Sequence, residues 1–88
     1  MIRKTVTIEN KMGLHARPAA LFVQTASGFD ADVMIEKDGL EVNGKSIMGL
    51  LMLAAEIGSE VTLTINGKDE EPMMEALVDL LKGKFNEE

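Results

Sequence analysis

Ala31-Asp32-Val33-Met34-Ile35-Glu36-Lys37-Asp38-Gly39-Leu40-Glu41-Val42-Asn43-Gly44 is the stretch that decides the fold class. Ala31, Val33 and Ile35 share one parity, which is the alternation of a strand with one buried face. Asp38-Gly39 is a strong signal for a two-residue hairpin turn. Leu40 and Val42 then give a returning strand, and Asn43-Gly44 turns the chain again. Two adjacent antiparallel strands are therefore expected at the middle of the chain. Towards the C-terminus, Ser46 can cap a short helix running from Ile47 to about Ala54. Gly58 punctuates the loop after it, and Val61, Leu63 and Ile65 form another strand ended by Asn66-Gly67. Asp69 is placed to cap a last helix, with Pro72 in its first turn and Met74, Leu77, Val78 and Leu81 as its apolar stripe. Lys82 and Lys84 suit the negative end of that helix dipole. Towards the N-terminus, Ala19, Phe22, Val23 and Ala26 recur at helical spacing over Ala16–Ser27. Pro18 lies in the first turn of that helix, where proline is tolerated, and Gly28 closes it. Asn10 to Gly13 is a loop, and Ile2, Val6 and Ile8 alternate as a first strand. The order is βαββαβα. Four amphipathic strands need a cover, so an α+β sandwich with helices on one face of an antiparallel sheet is expected.

The 88 residues suffice for a single domain over 1–88. Nine basic against fifteen acidic side chains leave a net charge of −6, which disfavours nucleic-acid phosphates and anionic membranes as partners. With no cysteine and one histidine, disulfides, thiolate chemistry and multi-histidine metal sites are excluded, and no cofactor is expected. Met1 to Thr5 leads into a strand pattern rather than an apolar leader, and Ile47 to Ala55 is too short to span a membrane. A cytoplasmic chain is expected.

The lone histidine lies in Gly13-Leu14-His15-Ala16-Arg17-Pro18, at the predicted start of the first helix. The first N–H groups of a helix have no internal acceptor, and with the dipole they form an anion site. An imidazole at the cap position holds its ring over those groups, and Arg17 adds a fork suited to phosphate oxygens. A neutral imidazole is a nucleophile, and the positive field favours that form. The same field stabilises the negative charge of an attached phosphoryl group. No carboxylate pair, Ser-His-Asp set or glycine-rich phosphate loop competes with it. An ordinary loop histidine is the plain alternative.

Two surfaces are too apolar for their place. With Ala19, Phe22, Val23 and Ala26 on the sheet, Ala16, Ala20, Leu21 and Gln24 face outward beside His15. With Leu50, Leu53 and Ala54 inward, Ile47, Met48, Leu51 and Met52 are left exposed, as in a docking surface. Burial under a loop is equally compatible with Leu21. Met12, Met34, Met73 and Met74 read as core or edge filler. Ser46 is first a helix cap, and a phosphate there would change the charge of the docking surface without unfolding the domain.

Residues 13–20, Gly-Leu-His-Ala-Arg-Pro-Ala-Ala, resemble the histidine-site signature of HPr, the histidine-containing phosphocarrier family of the bacterial phosphoenolpyruvate-dependent sugar phosphotransferase system. Residues 45–54, Lys-Ser-Ile-Met-Gly-Leu-Leu-Met-Leu-Ala, resemble the same family's serine site. The resemblance covers essentially the whole chain and implies sheet order 1-4-2-3. It implies that His15 takes a phosphoryl group on Nδ1 from enzyme I and passes it to enzyme II A components of sugar permeases. Arg17 would assist the transfer, and the N–H groups of Ala16 and Arg17 would contact the phosphate. Ser46 matches the regulatory serine, the substrate of an HPr kinase/phosphorylase in bacteria that have one, whose product binds a catabolite-control transcription factor. Ala20, Leu21, Gln24, Ile47, Met48, Leu51 and Met52 lie where the family meets its partners, and a monomer is expected. Gln24, Ser27, Leu40 and Gly49 are uncharged where the family often has lysines, so docking rests more on apolar contact. A nitrogen-related carrier and a signalling module acting through phospho-Ser46 are the alternatives.

Overall fold

The computed structural model describes residues 1–83. Along the chain run β1 (Ile2–Thr7), α1 (Ala16–Ser27), β2 (Asp32–Lys37), β3 (Leu40–Asn43), α2 (Ile47–Met52), β4 (Glu60–Asn66) and α3 (Glu70–Lys82). The four strands form one antiparallel sheet in the order β1-β4-β2-β3, as expected. Register follows the apolar parity: Val6 faces Val61, Val33 faces Ile65, and Ile35 lies between Leu63 and Val42. These residues join Phe22, Leu50 and Leu77 from the three helices in one buried cluster. The opposite face carries Arg3, Thr5, Thr62 and Thr64, with a hydrogen bond of 3.0 Å between the hydroxyls of Thr5 and Thr62. An open-faced sandwich results.

The hairpin between β2 and β3 forms because Asp38 (φ 51°) and Gly39 (φ 87°) both take positive φ, the requirement of a type I′ turn. Lys4 shares its parity with Ile2 and Val6 but stays exposed on the edge strand β1, where it lines a shallow groove with Met74 and Val78 of α3. An exposed lysine on an edge strand discourages pairing with another chain.

Leu40 and Val42 lie in β3 as expected, a four-residue edge strand whose only buried side chain is Val42. Two expectations need correction. The second helix ends at Met52 rather than near Ala54. Ala54 then departs from helical periodicity at φ 51°, so it is exposed and Ala55 takes the buried place. Lys84 lies outside the described residues.

Asp69 occupies the N-cap position of α3, but its side chain does not cap the helix. Its two carboxylate oxygens accept instead from the N–H groups of Asp30 (2.9 Å) and Ala31 (2.8 Å), pinning the α1–β2 connection to the start of α3. The Asp30 N–H, foremost among these donors, holds the Asp69 carboxyl below its ordinary pKa, against an opposing effect of desolvation. A depressed folded pKa gives stability that is present above the unfolded carboxylate value and lost as pH falls through the folded one. Asp69→Asn is therefore expected to lower Tm at neutral pH, with the gap to the parent closing as both are acidified below the ordinary carboxylate range. A gap independent of pH in thermal melts would show that shape, not charge, supplies the contribution.

Candidate functional site

α1 begins where the loop from β1 meets Pro18, which is buried at the third helical position. Proline contributes no N–H, and the N–H of Ala19 is already bonded to the carbonyl of His15 at 3.0 Å. The first-turn donors without an intrahelical acceptor are therefore those of Ala16 and Arg17. His15 is the N-cap residue, with extended backbone at φ −83° and ψ −170°. Its ring makes no capping hydrogen bond, contrary to the expectation that it covers those N–H groups. The helix start therefore keeps its two donors for another acceptor. The first turn holds no acidic side chain to offset the dipole, and Arg17 is exposed there.

The peptide leading to His15 is held from both sides. Asn10, buried, donates from Nδ2 to the Gly13 carbonyl at 2.6 Å, and the Gly13 N–H returns a bond of 3.0 Å to the Asn10 carbonyl. Leu14, also buried, donates its N–H to the Ala55 carbonyl at 2.8 Å. The reading of Asn10 to Gly13 as a plain loop missed this contact. An asparagine three residues before a glycine in a loop was the available signal, since its side chain can bond nearby backbone.

His15 is partly exposed in a depression of about 270 Å³ that also takes in Met12, Leu51 and Ala54. The start of α1 and the outer face of α2 thus meet at one place. Around it, Met48 is 72% exposed and Met52 65%, with Ile47 and Leu51 also exposed, as the unshared apolar faces of α2 required. Gln24 is exposed and Ala20 half-buried. Leu21 is half-buried and packed against the core, so it offers only part of its side chain. Met12, read as filler, is 72% exposed on the rim, and Ile57 is 55% exposed. A methionine in a loop has no strand or helix parity to bury it, which was the missed signal. Ser46 is the N-cap of α2: its Oγ accepts from the Gly49 N–H at 3.0 Å. Beside it, Lys45 Nζ donates to the Phe29 carbonyl at 2.9 Å.

Residues 2–83 match the family described as the PTS HPr component phosphorylation site. The phosphocarrier protein HPr of Treponema pallidum is 49% identical over 88 residues, covering all of both chains. A crystal structure of an HPr from Thermoanaerobacter tengcongensis superposes with a TM-score of 0.96 at 55% identity, covering 100% of this chain and 99% of that one. Crh of Bacillus subtilis, a catabolite-repression protein seen as a swapped dimer, is 50% identical with a TM-score of 0.77, covering 96% of this chain and 97% of that one. The fold, the paired histidine and serine signatures and these likenesses agree: the chain belongs to the HPr family, the phosphocarriers of the phosphotransferase system.

Proposed function

We propose that His15 is the group that holds the phosphoryl in transit, on Nδ1. An N–P bond forms there as the donor's bond to phosphorus breaks, and the reverse exchange delivers the group to the acceptor. Enzyme I is the donor and the enzyme II A components of sugar permeases are the acceptors. Arg17 and the N–H groups of Ala16 and Arg17 offset the charge on the phosphoryl oxygens. One observation carries the reading: the single imidazole stands at a helix start with two available N–H donors, in the same depression as exposed side chains of α2. Donor and acceptor proteins meet that apolar rim in turn, with Ala20, the open part of Leu21, Gln24, Ile47, Met48, Leu51 and Met52 at the contact. The chain acts as a single-domain monomer in the cytoplasm. The test is incubation with purified enzyme I and labelled phosphoenolpyruvate, followed by peptide mapping. Acid-labile, alkali-stable label on His15 supports the reading, and label confined to another residue overturns it.

Ser46 carries a second, regulatory phosphoryl group where an ATP-dependent HPr kinase/phosphorylase is present, and the product docks on a catabolite-control transcription factor. Support comes from the cap position, where added negative charge meets the first N–H groups of α2 beside exposed Met48. Ser46→Ala is expected to lose all ATP-dependent label while label at His15 continues. The missing cap costs about 1 kcal/mol, or roughly 4–8 °C in Tm. Retained ATP-dependent label in that variant refutes the assignment.

A further inference from the structure

We propose that Ala54 is a positioning residue for His15: its left-handed backbone sets the carbonyl that clamps the peptide leading into the imidazole. α2 closes with short turns, from Leu53 N–H to the Leu50 carbonyl (3.2 Å) and from Ala54 N–H to the Leu51 carbonyl (3.1 Å). Ala54 then takes φ 51°, a conformation that glycine adopts freely and that alanine resists. The other such residue among those described, Asp38, sits in a hairpin turn whose type demands it. Ala54 follows the C-cap Leu53, the position where a left-handed residue commonly ends a helix and where glycine is usual. Here an alanine holds it while exposed, so burial of its methyl group does not offset the cost.

What the conformation achieves is visible one residue on. Ala55 turns inward, buried, and its carbonyl accepts the Leu14 N–H at 2.8 Å. On the facing strand of this clamp Gly13 is also left-handed, at φ 68°. A Cβ on Gly13 would collide with the Ala55 carbonyl oxygen and stand 2.9 Å from Glu56 Cα, so the two backbones touch directly. The Asn10 side chain closes the other side through the Gly13 carbonyl. Leu14 is thereby fixed immediately before His15, and Ala54 shares the depression in which the ring stands. An unfavourable backbone conformation maintained beside a reacting group is strain in the service of placement.

The inference rests on His15 as the carrier, and its test separates the two. In the parent protein, the Leu14 amide is expected to resist hydrogen exchange as strongly as Leu63 in β4. A fast-exchanging Leu14 amide overturns the clamp without any variant. Ala54→Gly and Ala54→Asn accept the left-handed conformation, and both should stay within about twofold of the parent in label uptake from phosphorylated enzyme I. Ala54→Val resists it, and should lower kcat/KM for uptake by about tenfold while speeding Leu14 exchange about tenfold relative to Leu63. Parent-like uptake by Ala54→Val overturns the proposal. So does equal acceleration of the Leu14 and Leu63 amides, or a loss in Ala54→Gly as large as in Ala54→Val. Failure of the parent to take label at His15 overturns the carrier reading instead, whereas Leu14 exchange reports on the clamp without any phosphoryl transfer.

Discussion

His15→Ala is expected to reduce phosphoryl uptake from enzyme I to background, with the fold intact. The chain contains one histidine and no cysteine, so no second side chain of comparable nucleophilicity stands in for the ring. The imidazole makes no capping hydrogen bond, so its removal takes no side-chain cap from α1. Alanine there should shift Tm by no more than about 1 kcal/mol equivalent, about 4–8 °C. Loss of transfer without loss of structure is the combination to look for, in a labelling assay run beside a thermal melt. Appreciable label retained by the variant would remove His15 from the relay.

The largest stability effect belongs to Phe22→Ala. Phe22 is fully buried on the inner face of α1 and is the bulkiest side chain of the core. Its ring lies so near the turn after β3 that a Cβ on Gly44 would stand 3.2 Å from Cε1, and the Gly44 N–H is in turn bonded to the Val33 carbonyl at 2.8 Å. Backbone and sheet therefore wall the site on sides that do not collapse easily, and a cavity should remain. Removing a buried phenylalanine costs about 3–5 kcal/mol. A chain of this length has a total stability of roughly 4–13 kcal/mol. Tm should fall by about 15–30 °C, measured by calorimetry. A decrease below about 5 °C would mean that neighbours refill the space. Well below its own Tm the variant should still take label at His15, since Phe22 is no part of the depression around the imidazole.

Elements whose determinants are local could be read from the residues alone. α1 begins at Ala16 and ends at Ser27 as its spacing requires, and Asp38-Gly39 makes the turn its residue types demand. The position of His15 at the helix start was equally legible, because Pro18 and the apolar stripe set where the helix begins. Determinants that cross the chain were not legible. Asp69 looks like a cap from its own neighbours, yet it binds amides 38 and 39 residues away. Ala54 looks like a helical residue by composition, yet it is left-handed, and the next carbonyl, of Ala55, bonds to the distant Leu14 N–H. The exposure of Met12 likewise depends on a loop path that no periodicity specifies.

The sheet order has a consequence for how the protein comes into being on the ribosome. β4 is the last strand made, yet it lies between β1 and β2 and is hydrogen-bonded to both. Until residues 60–66 emerge, the N-terminal segment has no neighbour to ladder with, and a nascent chain interrupted earlier carries a hairpin and loose apolar stretches. Such sequence-distant pairing makes folding slower than for chains built on nearby contacts. Emergence of β4 is then the event that commits the polypeptide to its native form, and products that stop before it are substrates for chaperones and proteases.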